Sequence, residues 1–283
     1  MIIPRTDQDA AAVADHYDEL DPLYRRLWGE HVHHGLWTTG RETPTQAVEA
    51  LVDTVGERLS LAPGEAGVDI GCGYGSTARQ LARSRDVSVT GFTLSAEQAQ
   101  YAAARPVPGV DIRHRNWFDN GLADASVNAA WSIESSEHMV DKPAFFAEAH
   151  RVLAPGGRFV ICAWLAETDA GPWKIRHLLE PICREGRLPS MGTREDYEAM
   201  ARAAGFEVTG YEDVSRRVAR TWTICAGRVL KSLLIDRETQ RLALRGRNRV
   251  FLLSLPRLII AYRTGAMRYG IFTLSKNADT LPG

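Results

Sequence analysis

The stretch "VDIGCGYGSTARQLA", Val68 to Ala82, constrains this chain more than any other. A short apolar run, Val68–Ile70, reads as a strand. It ends in three glycines at alternate positions, Gly71, Gly73 and Gly75, and a helical pattern follows to Arg83. A glycine loop between a strand and a helix N-terminus brings backbone N–H groups and a partial positive charge to a small ligand. Dinucleotide enzymes favour G-x-G-x-x-G here, with an acid about twenty residues on for the ribose. The spacing in this chain is G-x-G-x-G. Asp69 stands two residues before the first glycine, and the next strand ends in "GFTLS" with no acid. That tilts the loop away from NAD and toward S-adenosylmethionine, whose amino-acid end is compact and zwitterionic.

From about residue 67 the chain alternates strand and helix. Val87–Phe92, Val110–His114, Val127–Ser132 and Arg158–Trp164 read as strands. Ser95, with Glu97 and Gln98 behind it, reads as the N-cap of a helix to about Ala104. Lys142–Leu153 reads as a helix, with "APGG" as the turn after it. A helix over 193–206, the strand "EVTGYEDV" and a final strand Arg268–Leu274 complete the pattern. Such alternation argues for a parallel sheet covered on both faces. Two regions stand outside it. Residues 1–55 read as an N-terminal helical cap before a core at 56–213. Residues 214–266 read as a helical lid insertion before the last strand, 267–275. The insertion is dense in Arg and Lys, with only Asp236 and Glu238 as acids. Its basic faces read as solvated surface or as attraction for an anionic substrate or membrane surface. Its apolar stretches, Val229–Ile235 and Val250–Tyr262, suit a lid over an apolar substrate.

Apolar residues make up 45% of the chain, enough for a sizeable core. Thirty-four Lys plus Arg balance 35 Asp plus Glu, so net charge gives no reason to expect nucleic acid as a partner. Cys72, Cys162, Cys183 and Cys225 form no CxxC pair and read as reduced thiols of a cytoplasmic protein. The first twenty residues hold no apolar run of the signal-peptide kind, and Pro256 and Arg257 break the most apolar stretch, so no integral membrane association is expected. "HVHH", with His31, His33 and His34, lacks the further carboxylate or distant histidine that most metal sites need, and no metal is expected. A homodimer stays open.

Four further stretches add specificity: "GFTLSAEQ", "WSIESSEHM", "HRVLAPGGRFVICAW" and "IIAYRTGAMRYGIFTLSK". Together with "VDIGCGYG" and "YDELDPLYRRLWGEHVHHGLW" they resemble the class I S-adenosylmethionine-dependent methyltransferases over residues 17 to 275. Within that class they look like the gamma-tocopherol methyltransferase branch and its natural-product relatives, with cyclopropane fatty acid synthases more distant. The resemblance implies an α/β, Rossmann-like fold with a seven-stranded, mostly parallel sheet whose last strand is antiparallel. It also implies cofactor roles. Gly71 and Gly73 pack against the methionine end of S-adenosylmethionine, near Asp69. Thr93, Leu94 and Gln98 hold the ribose. Asn116 and Trp117 edge and cover the adenine. Ser132 and Ile133 line the methionine portion, and Tyr17 and His33 close over its carboxylate.

Methyl transfer from a sulfonium is an in-line displacement that needs alignment and exclusion of water. A base matters only where the acceptor must lose a proton. "ESSEHM" places Glu137 and His138 just past a strand's C-terminal end, where open α/β sheets bind ligands. His138 is the candidate base, with Glu137 orienting it or stabilising a developing cation. Glu134 reads as structural. The expected activity is methylation of a small-molecule acceptor, a secondary-metabolite intermediate such as those of antibiotic biosynthesis, with S-adenosylhomocysteine as product. The alternatives are a lipid-modifying enzyme of the cyclopropane-synthase kind and a cyclase that binds S-adenosylmethionine without consuming it.

Overall fold

The computed structural model describes residues 1–4, 8–27, 29–237, 240–241 and 246–278. Seven strands form one sheet in the order β3-β2-β1-β4-β5-β7-β6. They are β1 (Ala66–Ile70), β2 (Ser88–Thr93), β3 (Val110–His114), β4 (Val127–Ile133), β5 (Leu153–Ala166), β6 (Phe206–Asp213) and β7 (Met267–Lys276). All neighbours pair parallel except β7, which runs antiparallel to both β5 and β6. The chain winds outward from β1 to β3, then returns to place β4 on the other side of β1. That reversal opens a crevice beyond the C-terminal ends of β1 and β4, where ligands bind in such sheets.

Local sequence explains the flanking helices. Thr43 caps α2 (Pro44–Leu59) in a reciprocal box with Gln46, and Pro44 takes the first helical position. Gly75, at φ 74°, turns the loop into α3 (Ser76–Arg85). Ser95 accepts the Gln98 N–H at the start of α4 (Ala96–Ala103), and Asp141 accepts that of Ala144 at the start of α5 (Lys142–Val152). The central strands are buried on both faces, and Trp131 of β4 is fully enclosed against Gly67, where a Cβ would lie 2.5 Å from its ring.

Two expectations from the sequence need correction. The boundary at residue 55 falls inside α2, whose continuous apolar stripe, Leu51, Val52, Val55 and Leu59, is wholly buried. "APGG" is no simple turn between helix and strand. Helix α5 runs directly into β5, and these residues form an irregular stretch of that strand, where the register against β4 slips between Val127 and Ala129.

The additions meet above the crevice. Helix α1 (Ala10–Leu27) packs on α4 and on the helix Gly246–Arg263 of the insertion, which in turn packs on its other long helix, Arg220–Ile235. Among the described residues no helix is long and apolar enough to cross a membrane. All four cysteines are free and buried.

Candidate active site

Three adjoining cavities open at the crevice. The first, of about 720 Å³, is lined by the glycine loop (Gly71, Gly73), the end of β2 (Thr93, Leu94), Gln98, Asn116, Trp117, Ile133 and Tyr17. These are residues expected from the sequence to hold S-adenosylmethionine. A Cβ built on Gly73 would meet nothing nearer than Gln98 Nε2 at 4.0 Å, so this position faces open space, and its φ of 54° suits glycine. Gly71 is constrained from the other side, where a Cβ would fall 2.2 Å from that of Ser135. Gln98 receives the Thr93 hydroxyl on Oε1 at 2.8 Å, which turns its amide nitrogen toward the loop. Trp117 is buried beside Phe92, its ring N–H without a protein partner. Asn116 accepts the Phe118 N–H and opens the short turn that carries Trp117.

A smaller cavity behind the loop is lined by Asp69, Gly71, Gly73, His31 and His33. Asp69 is buried with Oδ2 unpartnered, and burial raises its carboxyl to about 7. A buried, half-satisfied carboxyl beside open glycines, with the unpartnered Trp117 indole N–H in the first cavity, fits a polar ligand carrying an ammonium and an aromatic base.

Ser132 is the exception among the expected contacts. It lies one layer down, fully buried, its hydroxyl 2.7 Å from that of Ser135. Ser135 lines the cavity instead and donates to the Ile70 carbonyl. Tyr17 and His33 line the cavities and also have protein partners. The Tyr17 hydroxyl stands 2.9 Å from His138 Nε2, and His33 is joined to the His31 ring at 3.1 Å and to the His34 carbonyl at 2.8 Å.

The third cavity, of about 730 Å³, shares Tyr17, Val32, Glu134 and His138 with the first. Its walls are mostly apolar and aromatic: Tyr24, Trp164, Ile182, Leu188, Trp222 and Leu258. Its position beyond Tyr17 and His138 makes it the candidate acceptor site. Burial holds His138 neutral, lowering its imidazole to about 4, and raises the Tyr17 hydroxyl. Burial likewise pushes Glu137 up to about 8, although its Oε1 accepts the Trp164 N–H.

Glu134, read from the sequence as structural, is the organising residue between the two large cavities. It sits in the left-handed region at φ 53°, which is costly for a residue with a Cβ. Its carboxylate accepts four hydrogen bonds: from the His34 N–H (2.6 Å), His34 Nδ1 (2.9 Å), Trp164 Nε1 (2.9 Å) and the Tyr269 hydroxyl (2.8 Å). Burial opposes its charge, but His34 and these donors outweigh it and hold Glu134 down to about 2. Two carboxyls three residues apart are thus driven to opposite protonation states. No local signal reveals this, because the four donors come from the N-terminal segment, β5 and β7.

The family model described as mycolic acid cyclopropane synthetase matches residues 4–235. The chain is 34% identical to 27-O-demethylrifamycin SV methyltransferase of Amycolatopsis mediterranei, over 75% of this chain and 79% of that protein. It is 29% identical to the chloroplastic tocopherol O-methyltransferase of Arabidopsis thaliana, over 93% and 81%. Among solved structures, the 4+2 cyclase SpnF superposes with a TM-score of 0.80 at 27% identity, covering 98% of this chain and 99% of that one.

Proposed function

The chain belongs to the mycolic acid cyclopropane synthetase family and is an S-adenosylmethionine-dependent methyltransferase; from that premise we propose that its acceptor is an uncharged, largely apolar natural-product intermediate methylated on a hydroxyl. The observation that carries the acceptor class is the lining of the third cavity. Among the described residues no Lys or Arg reaches it, while one ionised and one protonated carboxyl do. A phosphorylated or carboxylated acceptor would bury its charge there beside an ionised carboxylate, with no described Lys or Arg to meet it, at a high cost. None of the described basic residues of the insertion lines this cavity. The relatives named above support oxygen as the methylated atom.

Bound S-adenosylmethionine supplies an already activated methyl group. Gly71 and Gly73 leave room for its methionine end, and Asp69 lies within the small cavity for the ammonium. Gln98 addresses the ribose, and Asn116 and Trp117 frame the adenine. The acceptor hydroxyl is presented where the cavities join, between Tyr17 and His138. His138 takes the proton, directly or through the Tyr17 hydroxyl on its Nε2. A weakened imidazole suffices, because an oxygen that has just gained a methyl group gives up its proton to a base far weaker than ordinary imidazole. Tyr17 and Val32 from the N-terminal segment, with Trp222 and Leu258 from the insertion, cover the reaction and keep water out. Buried, free cysteines suit a reducing cytoplasm.

The likeness to a cyclase supports a second reading, in which S-adenosylmethionine is retained and not consumed. One assay separates the readings. Purified protein is incubated with S-adenosylmethionine and hydroxylated apolar acceptors, alongside the same acceptors bearing a phosphate. The expected result is one S-adenosylhomocysteine per methyl ether formed, from the uncharged set alone. Conversion of acceptor without S-adenosylhomocysteine, or turnover of the phosphorylated set alone, sinks the proposal.

A further inference from the structure

Lys142 opens α5 and is one of the most deeply buried side chains of the molecule, at 2% exposure. No carboxylate pairs with it within ion-pair distance among the described residues. Instead its ammonium has three neighbours, one for each N–H: the Glu137 carbonyl at 3.1 Å, the Met139 carbonyl at 3.1 Å and the Ser190 hydroxyl at 2.8 Å. An uncompensated buried cation is costly and calls for a reason.

The identity of those three acceptors supplies one. Glu137 and Met139 are the residues on either side of His138, and His138 ends the short 3-10 turn Ser136–His138. Ser190 belongs to the segment after Gly186 and Leu188, both of which line the acceptor cavity. One ammonium therefore joins the turn that presents the imidazole to a wall of the acceptor site. We propose that Lys142 is a positioning residue, which clamps both peptide carbonyls around His138 so that its Nε2 faces Tyr17, and which sets its positive charge against the turn that carries the imidazole. The proposal rests on His138 serving as the base.

The groups around the imidazole define the electrostatic part. Tyr17 faces it from α1, and the Arg187 carbonyl and Glu134 favour its protonated form. Burial and Lys142 oppose protonation, burial more strongly. Among the described residues, Lys142 is thus the cation that acts against protonation of His138. Three donors meeting three acceptors keep the ammonium itself protonated, although burial lowers it to about 8.

The test compares Lys142→Met, which keeps length and loses charge and donors, with Lys142→Arg, which keeps the charge. The His138 imidazole is followed by NMR in histidine-labelled protein, assigned with His138→Ala. In Lys142→Met the imidazole should titrate higher by about one pH unit, the low end for loss of a neighbouring like charge. kcat should fall about 10²-fold, as for a reacting group displaced by an ångström, with S-adenosylhomocysteine affinity within a few-fold of wild type. In Lys142→Arg the titration should stay and kcat should still fall, since a planar guanidinium cannot reach all three acceptors. A folded Lys142→Met whose His138 titrates as in wild type overturns the proposal, whatever its melting temperature. Should that variant not fold, Ser190→Ala removes one acceptor only; unchanged kcat and unchanged titration there overturn it equally. Failure of the base reading is visible separately: His138→Ala then keeps its turnover, while the titration still reports on Lys142.

Discussion

His34 and Glu134 are joined twice, by the His34 backbone N–H at 2.6 Å and its Nδ1 at 2.9 Å, across one hundred positions of chain. This pair anchors the N-terminal segment, which carries His31, Val32 and His33 over the glycine loop, to the end of β4. Both side chains are buried. Removing the carboxylate leaves its buried donors unsatisfied, at a typical cost of about 1–3 kcal/mol and more where the lost partner is charged. Glu134→Ala should therefore destabilise by about that much at neutral pH, read by chemical denaturation, and should weaken S-adenosylhomocysteine binding. The depressed carboxyl also sets an acid limit. Its contribution is complete above the ordinary carboxylate range and is lost as pH falls toward about 2. A loss below about 1 kcal/mol, the scale of an exposed pair, contradicts this account.

Glu137 has the opposite sign. Its folded carboxyl is raised to about 8, chiefly by burial. The stability from its protonated form is complete below the ordinary carboxylate range and declines as pH rises through about 8. Melting temperature should fall between pH 5 and 9 in the wild type, and Glu137→Gln should flatten that decline. Parallel profiles for the two proteins count against a neutral Glu137.

Gly73 faces the first cavity with a left-handed backbone. Gly73→Val should abolish S-adenosylmethionine and S-adenosylhomocysteine binding in calorimetric titration while the protein stays folded. NAD should bind neither protein. Wild-type affinity in the variant would place the cofactor elsewhere.

For a hydroxyl acceptor, His138→Ala should cut kcat by about 10²–10⁴-fold, the usual worth of a general base, with cofactor affinity nearly intact. Tyr17→Phe should reproduce part of that loss, since its hydroxyl bonds Nε2. A neutral amine acceptor should lose little in either variant, because alignment carries that reaction. An alkene carbon should suffer more from Glu137→Gln, as a developing cation then needs the carboxyl. If His138→Ala and Glu137→Gln both stay within about threefold of wild type on a hydroxyl, well short of the general-base range, the proton leaves by another route.

The glycine loop, the strand–helix alternation and the turn "ESSEH" are local patterns of the sequence. A loop that must approach a ligand closely needs glycine, and an N-cap needs a short oxygen side chain, wherever the rest of the chain goes. Hence residues from Gly71 to Trp117, with Ile133, could be named from the sequence as candidates, and they line one cavity. Ser132, in β4, does not line the cavity, whereas Ser135 beyond the end of that strand does, because the chain turns there in a way no local pattern reveals. Glu134 was read as structural for a similar reason: nothing near it in sequence donates to it.

By itself, then, the sequence determined the fold class and the cofactor, since both depend on hydrophobic period and on backbone freedom within short windows. It also held the candidate base, as a residue type at a strand end. Tertiary structure alone decided the protonation of that site. His138 is neutral, Glu137 is protonated and Glu134 is ionised because of burial and of partners drawn from residues 34, 164 and 269. Desolvation and hydrogen-bond donors act through space, so two glutamates identical in sequence terms acquire opposite charge states three residues apart. The charge of the acceptor cavity was decided in the same way: a basic insertion lies over it, yet among the described residues no Lys or Arg lines it.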